Sequence, residues 1–306
     1  MIQISVQGKV ANRNQWMDLA TKVERQGFHG LYVADHRGST ASPFVALAAA
    51  ATLTERITLG TCVLNAGAWS PMALATEAVT LDALSDGRCL LGVGAGHTPA
   101  EWSMVGSSIP AASERVDRMI ELVVAVRALI AGEQVTTSNK HFALSSAQLT
   151  DFPVKRKVPI LIGGNGRRVL SFAARESDVI GVTGLGRTLA DGHSHEVNWS
   201  LNELNRTFDR LASVARDAGN APEIEALVQH IEITDDAERT AAQMAEFVPG
   251  ASADVLLNAP FMWIGTAKEI STQINQHAEA WGITRYVIRD SAIAAGSEVL
   301  HSLQSS

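Results

Sequence analysis

Two hydrophobic rhythms alternate along this chain. Short apolar runs of strand length recur, and between them lie stretches whose apolar positions return every three or four residues, as on one face of a helix. Residues 2–7 read as strand one. Residues 14–26 carry Trp16, Leu19, Ala20 and Val23 on one helical face, and Gly27 ends that helix. Strand two falls at 30–34. Ser42-Pro43 looks like a cap followed by proline in the first turn, opening a helix over 44–54. Strand three follows at 57–64, and Ser70-Pro71 repeats the helix start, with the helix running to about Leu84.

The stretch from Leu81 to His97 organises the rest. Ser85-Asp86-Gly87 is turn chemistry, with Gly87 suited to positive φ. Residues 88–93 are an apolar strand, the fourth, and Gly94 and Gly96 then strip side chains from the backbone where a flat ligand would need close approach. His97 stands at the lip. A long amphipathic helix over 113–131 comes next, then an excursion over 133–157 with one short hairpin around Asn139-Lys140. Strand five spans 158–162, a helix reaches 175, and strand six covers 178–183. A polar, lid-like loop over 184–198 precedes a helix to about 218. Strand seven is placed at 225–234, followed by two short helical pieces. Thr266-Ala-Lys-Glu269 is a capping box that opens a helix ending at Gly282; strand eight is at 284–289 and a last helix reaches 303.

Eight strands alternating with helices make a single (β/α)8 barrel over 1–306, with an excursion between strands four and five and a lid after strand six. The rival, an open doubly wound sheet, places G-x-G-x-x-G after strand one, and Gly8-Lys9-Val10 stands there instead. Composition narrows the partners. Twenty-five Lys and Arg against 32 Asp and Glu give a formal charge of −7, which disfavours nucleic acid or an anionic membrane and leaves a small-molecule substrate. Cys62 and Cys89 both fall in expected strands, so they read as reduced core thiols of a cytoplasmic protein. The first residues read as a strand and not as a signal peptide, and the apolar stretch 44–53 is too short to span a bilayer.

In a barrel the site forms from the loops after the strands, which selects Gln7, Asp35, His36, Asn65, Gly94 to His97, Gly163 to Arg168, Thr183 and Arg289. Gly163-Gly164-Asn165-Gly166-Arg167-Arg168 opens a helix, and its N–H groups and guanidiniums suit a phosphate or carboxylate; its glycines would equally ease close packing. His36 beside Asp35 has the pKa range of a general acid or base, or is a loop histidine bonded to a carbonyl. Asn65 either donates to a ligand carbonyl or caps the following turn. His193 and His195 lack further ligands at strand ends, so no metal is expected. Schiff-base chemistry finds only Lys9 near a strand end.

Five stretches give the chain a wider likeness: 27–36 (GFHGLYVADH), 57–65 (ITLGTCVLN), 77–96 (through EAVTLDALSDGR and LGVGAG), Glu101-Trp102 with the helix from Arg115, and 159–168 (PILIGGNGRR). In this order and spacing the chain resembles the luciferase-like family, and within it the oxidoreductases that use coenzyme F420. That resemblance implies a flavin-shaped ring in the barrel mouth, braced by a non-proline cis peptide that would be Cys62–Val63 here. It assigns ring contacts to Asp35, Asn65 and the Gly94-Ala95-Gly96-His97 loop. The phosphate and tail go to Gly163, Gly164 and Arg167, with Asn165 and Gly166 between them, and His36 matches a histidine that works near the reacting carbon. It also implies a homodimer through the second and third helices. Two departures stand out. The sugar-phosphate dehydrogenases of the family carry a tryptophan where this chain has Thr40, and a catalytic carboxylate where it has His97. The resulting expectation is F420-dependent hydride transfer to or from a small organic substrate other than a sugar phosphate. An FMN-dependent monooxygenase using oxygen is the alternative, and a flavin-binding relative without catalysis a third possibility.

Overall fold

The computed structural model describes residues 1–150, 157–188, 195–197, 199–248 and 250–305. Its barrel strands are β1 (Gln3–Gln7), β2 (Gly30–Val33), β3 (Thr58–Thr61), β4 (Cys89–Gly94), β5 (Ile160–Gly163), β6 (Val179–Val182), β7 (Glu223–Leu227) and β8 (Ile283–Arg289). They follow one another around the sheet in chain order, β8 lies beside β1, and β3 pairs directly with β4 through Leu59 and Gly60. The fold is therefore a (β/α)8 barrel, as the alternation of patterns predicts. Strands buried on both faces read as continuous apolar runs, and Cys89–Gly94 is buried at every position.

The chain divides into two compact units. One comprises residues 8–163 and holds β2 to β5. Its helices are α1 (Arg13–Arg25), α2 (Pro43–Ala51), α3 (Pro71–Leu84) and α4 (Ala112–Ile130). Asn12 caps α1 by accepting from the Gln15 N–H at 3.0 Å, and the Trp16 indole donates to the Ala46 carbonyl at 2.9 Å, fastening α1 to α2. Ser42 and Ser70 do stand before the prolines that open α2 and α3, but neither hydroxyl makes the expected capping bond. Proline in the first turn already fixes φ and removes one orphan donor, so these helices start without a side-chain cap.

The third apolar run is not one strand. The Cys62–Val63 peptide is cis, and the chain resumes as a short strand, Leu64–Asn65, alongside β4. Cys62 accordingly lies half-buried outside any strand, whereas Cys89 is buried and desolvation pushes its thiol pKa up. Arg88 fastens this part of the barrel. Its guanidinium donates to the carbonyls of Ile57 at 3.0 Å, Thr54 at 2.9 Å, Ala51 at 3.2 Å and Ser85 at 2.7 Å. One side chain thus ties the end of α2 to the starts of β3 and β4. In the excursion, Val135–Ser138 and Ala143–Ala147 form the expected antiparallel hairpin. Its tip residue His141 sits 2.6 Å from Glu114 and 3.0 Å from Glu121 of α4; residues 151–156 lie outside the described residues.

The second unit comprises residues 1–7 and 164–306, with β1, β8, β7 and β6 side by side. Its long helices are α5 (Arg167–Glu176), α6 (Leu201–Asp217), α7 (Ala267–Trp281) and α8 (Ile293–Gln304). The Thr266–Glu269 capping box is present, and Gly282 ends α7 in the left-handed conformation. The two short helical pieces are Ala237–Ala245 and Ala253–Asn258. The expected seventh strand is corrected. Its apolar run holds β7 and then a second strand, His230–Ile233, which leaves the barrel to pair in parallel with Met262–Gly265. The break lies at Gln229, whose N–H donates to the Phe261 carbonyl at 2.7 Å and so hands the chain a new partner. In the loop after β6, Leu185–Thr188 pairs with His195–Val197; residues 189–194 and 198 lie outside the described residues.

Two buried groups make this description testable. Replacing Arg88 with Lys keeps the charge but loses the planar fork, so the variant is expected to lose about 2–4 kcal/mol in urea unfolding. His277 of α7 donates from Nε2 to the Asn258 carbonyl at 3.0 Å, and its Nδ1 lies 3.3 Å from the buried Tyr286 hydroxyl. Burial lowers its pKa to about 4, against the opposing pull of that carbonyl. The unfolded chain binds this proton first, so stability is full above the ordinary histidine range and falls as pH drops from 6.5 towards about 4. The loss approaches roughly 3 kcal/mol. Unfolding measured across that window should show His277→Gln flattening the slope relative to the parent.

Candidate active site

The polar residues at the carboxyl ends of β2, β3 and β4 converge within the 8–163 unit. Asp35 and His36 follow β2. Asp35 is 6% exposed, and its Oδ2 accepts from the Trp69 indole at 2.9 Å and from the Asn65 backbone N–H at 3.4 Å. His36 Nδ1 lies 2.8 Å from Oε1 of Glu101, and the Asn65 side-chain amide donates to Oε2 of the same carboxylate at 2.7 Å. Glu101 is 8% exposed, whereas the His36 side chain is 43% exposed. The ring therefore has one edge anchored inside and the other facing out. The His36 backbone N–H is held too, donating to Thr40 Oγ1 at 2.9 Å. Thr40 thus takes a structural part in the loop where the sugar-phosphate branch has tryptophan.

Of the two readings the sequence left open for Asn65, the turn cap is present, and its amide nitrogen is engaged within the protein. Its Oδ1 accepts from the Gly67 N–H at 2.9 Å, starting the turn Ala66–Ala68, while its amide nitrogen holds Glu101. Gly96 has φ +73°, and a Cβ there would meet Asn65 Oδ1 at 2.0 Å. Gly94 and Gly163 both back onto Val63, which would lie 2.7 and 2.8 Å from added Cβ atoms. The space a Cβ would need at these glycines is filled by the protein's own Asn65 and Val63. Cys62, Val63 and Ala95 are half-buried. His97 is exposed and stands edge-on to His36, with ring centroids 6.2 Å apart.

In the other unit, the segment 164–168 starts α5 with Gly166 at the cap position and no side-chain cap on its first-turn N–H groups. Gly166, Arg167 and Arg168 are exposed. Asn165 is occupied internally. Its amide nitrogen donates to Thr183 Oγ1 at 2.5 Å and the Leu185 carbonyl at 2.6 Å, and its oxygen accepts from the N–H groups of Thr183 and Gly184 at 3.1 and 3.0 Å. It latches the end of β6 to its own loop. Arg289 bonds to Gln7 across the adjacent ends of β8 and β1. Among the described residues no three His, Cys, Asp or Glu side chains are grouped to hold a metal ion; His193 lies outside them and the His195 side chain is not described. No helix is long and apolar enough to cross a membrane among the described residues.

Three participants escaped the reading of strand ends. Glu101 sits on a short helix, Pro99–Ser103, beyond the glycine loop. Trp69 follows the turn after β3. Arg115, on α4, donates to the Gly96 carbonyl at 2.7 Å and also to that of Pro110, holding both ends of the segment between. Glu101 and Arg115 had left a trace, in the Glu101-Trp102 dipeptide and the helix from Arg115 that carry part of the family likeness; Trp69 had left none.

The sequence family described as luciferase-like monooxygenase matches residues 3–282. An F420-dependent glucose-6-phosphate dehydrogenase of Intrasporangium calvum is 33% identical over 207 residues, covering 64% of this chain and 62% of that protein. A similar dehydrogenase of Kineococcus radiotolerans is 33% identical with 53% and 50% covered, so the chain spans less than two thirds of the length of both. A limonene 1,2-monooxygenase of Rhodococcus erythropolis is 26% identical, covering 95% of this chain and 79% of its own. A solved F420-dependent secondary alcohol dehydrogenase in complex with an F420-acetone adduct shares the fold, with TM-score 0.77, 20% identity and 99% of each chain covered.

Proposed function

Because the chain belongs to the luciferase-like monooxygenase family, we propose that it is an F420-dependent oxidoreductase that moves a hydride between the deazaflavin and a small organic substrate. The observation that carries this reading is the anchored histidine. His36 presents an outward edge at the end of β2, its other edge bonded to Glu101 at 2.8 Å. Hydride chemistry on an alcohol or carbonyl needs a group that takes or gives one proton, and a histidine so held is such a group. The F420-dependent relatives at 33% identity support the cofactor assignment.

The residues present suit such a cofactor. Val63, packed behind Gly94 and Gly163, and the half-buried Cys62 offer an apolar wall for a flat ring. In the other unit, uncapped N–H groups at the start of α5 and the exposed Arg167 suit the anionic tail. When bound, F420 supplies a ring carbon that accepts or donates hydride. The chain's own part is to orient the substrate carbon, exclude water and manage the proton at His36. His97, edge-on to His36, offers a second polar contact to the substrate at the exposed rim.

The limonene monooxygenase likeness, which covers 95% of the chain, favours a second reading in which FMN and oxygen replace F420. A titration followed by tryptophan fluorescence separates the two. Oxidised F420 is expected to bind in the micromolar range or tighter, with FMN at least about tenfold weaker, and Arg167→Ala to weaken F420 by about tenfold. Preferential FMN binding transfers the assignment to the monooxygenase, and binding of neither removes both. We also propose a cytoplasmic homodimer built on the exposed Val45 of α2 and the small residues of α3. Sedimentation equilibrium should return twice the chain mass of 32.6 kDa, and a monomer at micromolar concentration rules that out.

A further inference from the structure

We propose that Glu101 is the positioning residue of this site: it fixes the His36 ring with its proton on Nδ1 and leaves Nε2 as the working nitrogen. The inference rests on the assignment of His36 as the proton-handling group and adds the residue that decides which of its nitrogens does so.

The geometry leaves the ring little choice. An ionised carboxylate only accepts hydrogen bonds, so at 2.8 Å from Oε1 the His36 Nδ1 must donate. The carboxylate cannot turn away, because its Oε2 takes the Asn65 amide at 2.7 Å. Asn65 cannot flip, because its oxygen already accepts from the Gly67 N–H at 2.9 Å. The orientation therefore passes from a backbone N–H through one amide and one carboxylate to the imidazole. Glu101 is 8% exposed, so the pair is shielded where it meets. At the other edge, Nε2 has no protein partner among the described residues, and the ring is 43% exposed on that side chain.

A glutamate that merely stapled its loop would need only one of these bonds, and either histidine tautomer would serve. The second bond, from Asn65, is what makes the arrangement directional. A substrate hydroxyl brought to Nε2 gives up its proton there: the O–H bond breaks, an Nε2–H bond forms, and the imidazolium is stabilised by the carboxylate already bonded to Nδ1. In the reverse direction the same Nε2–H returns the proton to oxygen.

The test reads the tautomer directly, in the full chain without cofactor, so it stands whether or not F420 is the right cofactor. Nitrogen-15 spectra of histidine-labelled protein report which ring nitrogen is protonated, with His36 assigned from the signal lost in His36→Gln. At a pH where the ring is neutral, the parent should show Nδ1–H and a bare Nε2. Glu101→Gln keeps the volume but must offer its oxygen to Asn65 and its NH2 to His36, so the ring should invert to the Nε2–H form. Glu101→Ala should give a mixture of both. In F420-dependent turnover, Glu101→Gln should lower kcat at least about a hundredfold while F420 affinity changes by less than about twofold. A parent ring already in the Nε2–H form, or a folded Glu101→Gln whose ring keeps Nδ1–H, overturns the proposal. If Glu101→Gln fails to fold by circular dichroism, the Glu101→Ala spectrum decides in the same way. Absence of F420 binding leaves the tautomer result intact and counts against the cofactor reading alone.

Discussion

The carboxamide of Asn65 is the point on which the site's geometry depends. It sits just after the cis Cys62–Val63 peptide, at the end of a short strand beside β4. Its oxygen starts one turn, its nitrogen holds Glu101, and its backbone N–H reaches Asp35. Gly96 has to be glycine because that carboxamide occupies the space a Cβ would need. Loops from three strands are thereby tied together through one residue, by its side-chain oxygen, its side-chain nitrogen and its backbone N–H. Such a residue resists displacement, since a shift that breaks one of these bonds strands a buried donor or acceptor at a cost of about 1–3 kcal/mol. At the opposite ends of β3 and β4, the Arg88 guanidinium does comparable work with four bonds to main-chain carbonyls and one to the Thr54 hydroxyl, while its backbone N–H donates to the Ser85 hydroxyl.

The barrel was legible because it is written in local patterns. Buried parallel strands leave continuous apolar runs, and amphipathic helices leave spaced ones, so both survive in a single sequence. The failures occur where a non-local bond overrides the local pattern. The stretch 225–234 reads as one strand, yet it is cut in two because Gln229 finds the Phe261 carbonyl, a partner far along the chain. Ser42 and Ser70 occupy capping positions by sequence and leave them unused in space.

The candidate site was legible to a lesser degree and for the same reason. The rule that barrel chemistry lies at strand ends finds Asp35, His36 and Asn65, because those ends are visible as the edges of apolar runs. It does not find Glu101, which reaches His36 from 65 positions away on a short helix with little pattern of its own. Nor does it distinguish a glycine that admits a ligand from one that admits a neighbouring side chain. Gly94 is of the second kind, and so is the role of Asn165, whose four bonds close a loop on itself.

Arg115 has a consequence of a different order. By holding the carbonyls of Gly96 and Pro110 together, it fixes both stems of the segment that carries His97 and Glu101. A loop whose ends are clasped in this way is indifferent to its own length, because doubling it adds only about 0.6 kcal/mol of closure entropy. Insertions and exchanges around Met104 and Val105, which are 60% and 66% exposed, therefore leave the barrel untouched. The clasp confines the cost of a change in this loop's length to the loop itself, because its two stems are held by one side chain.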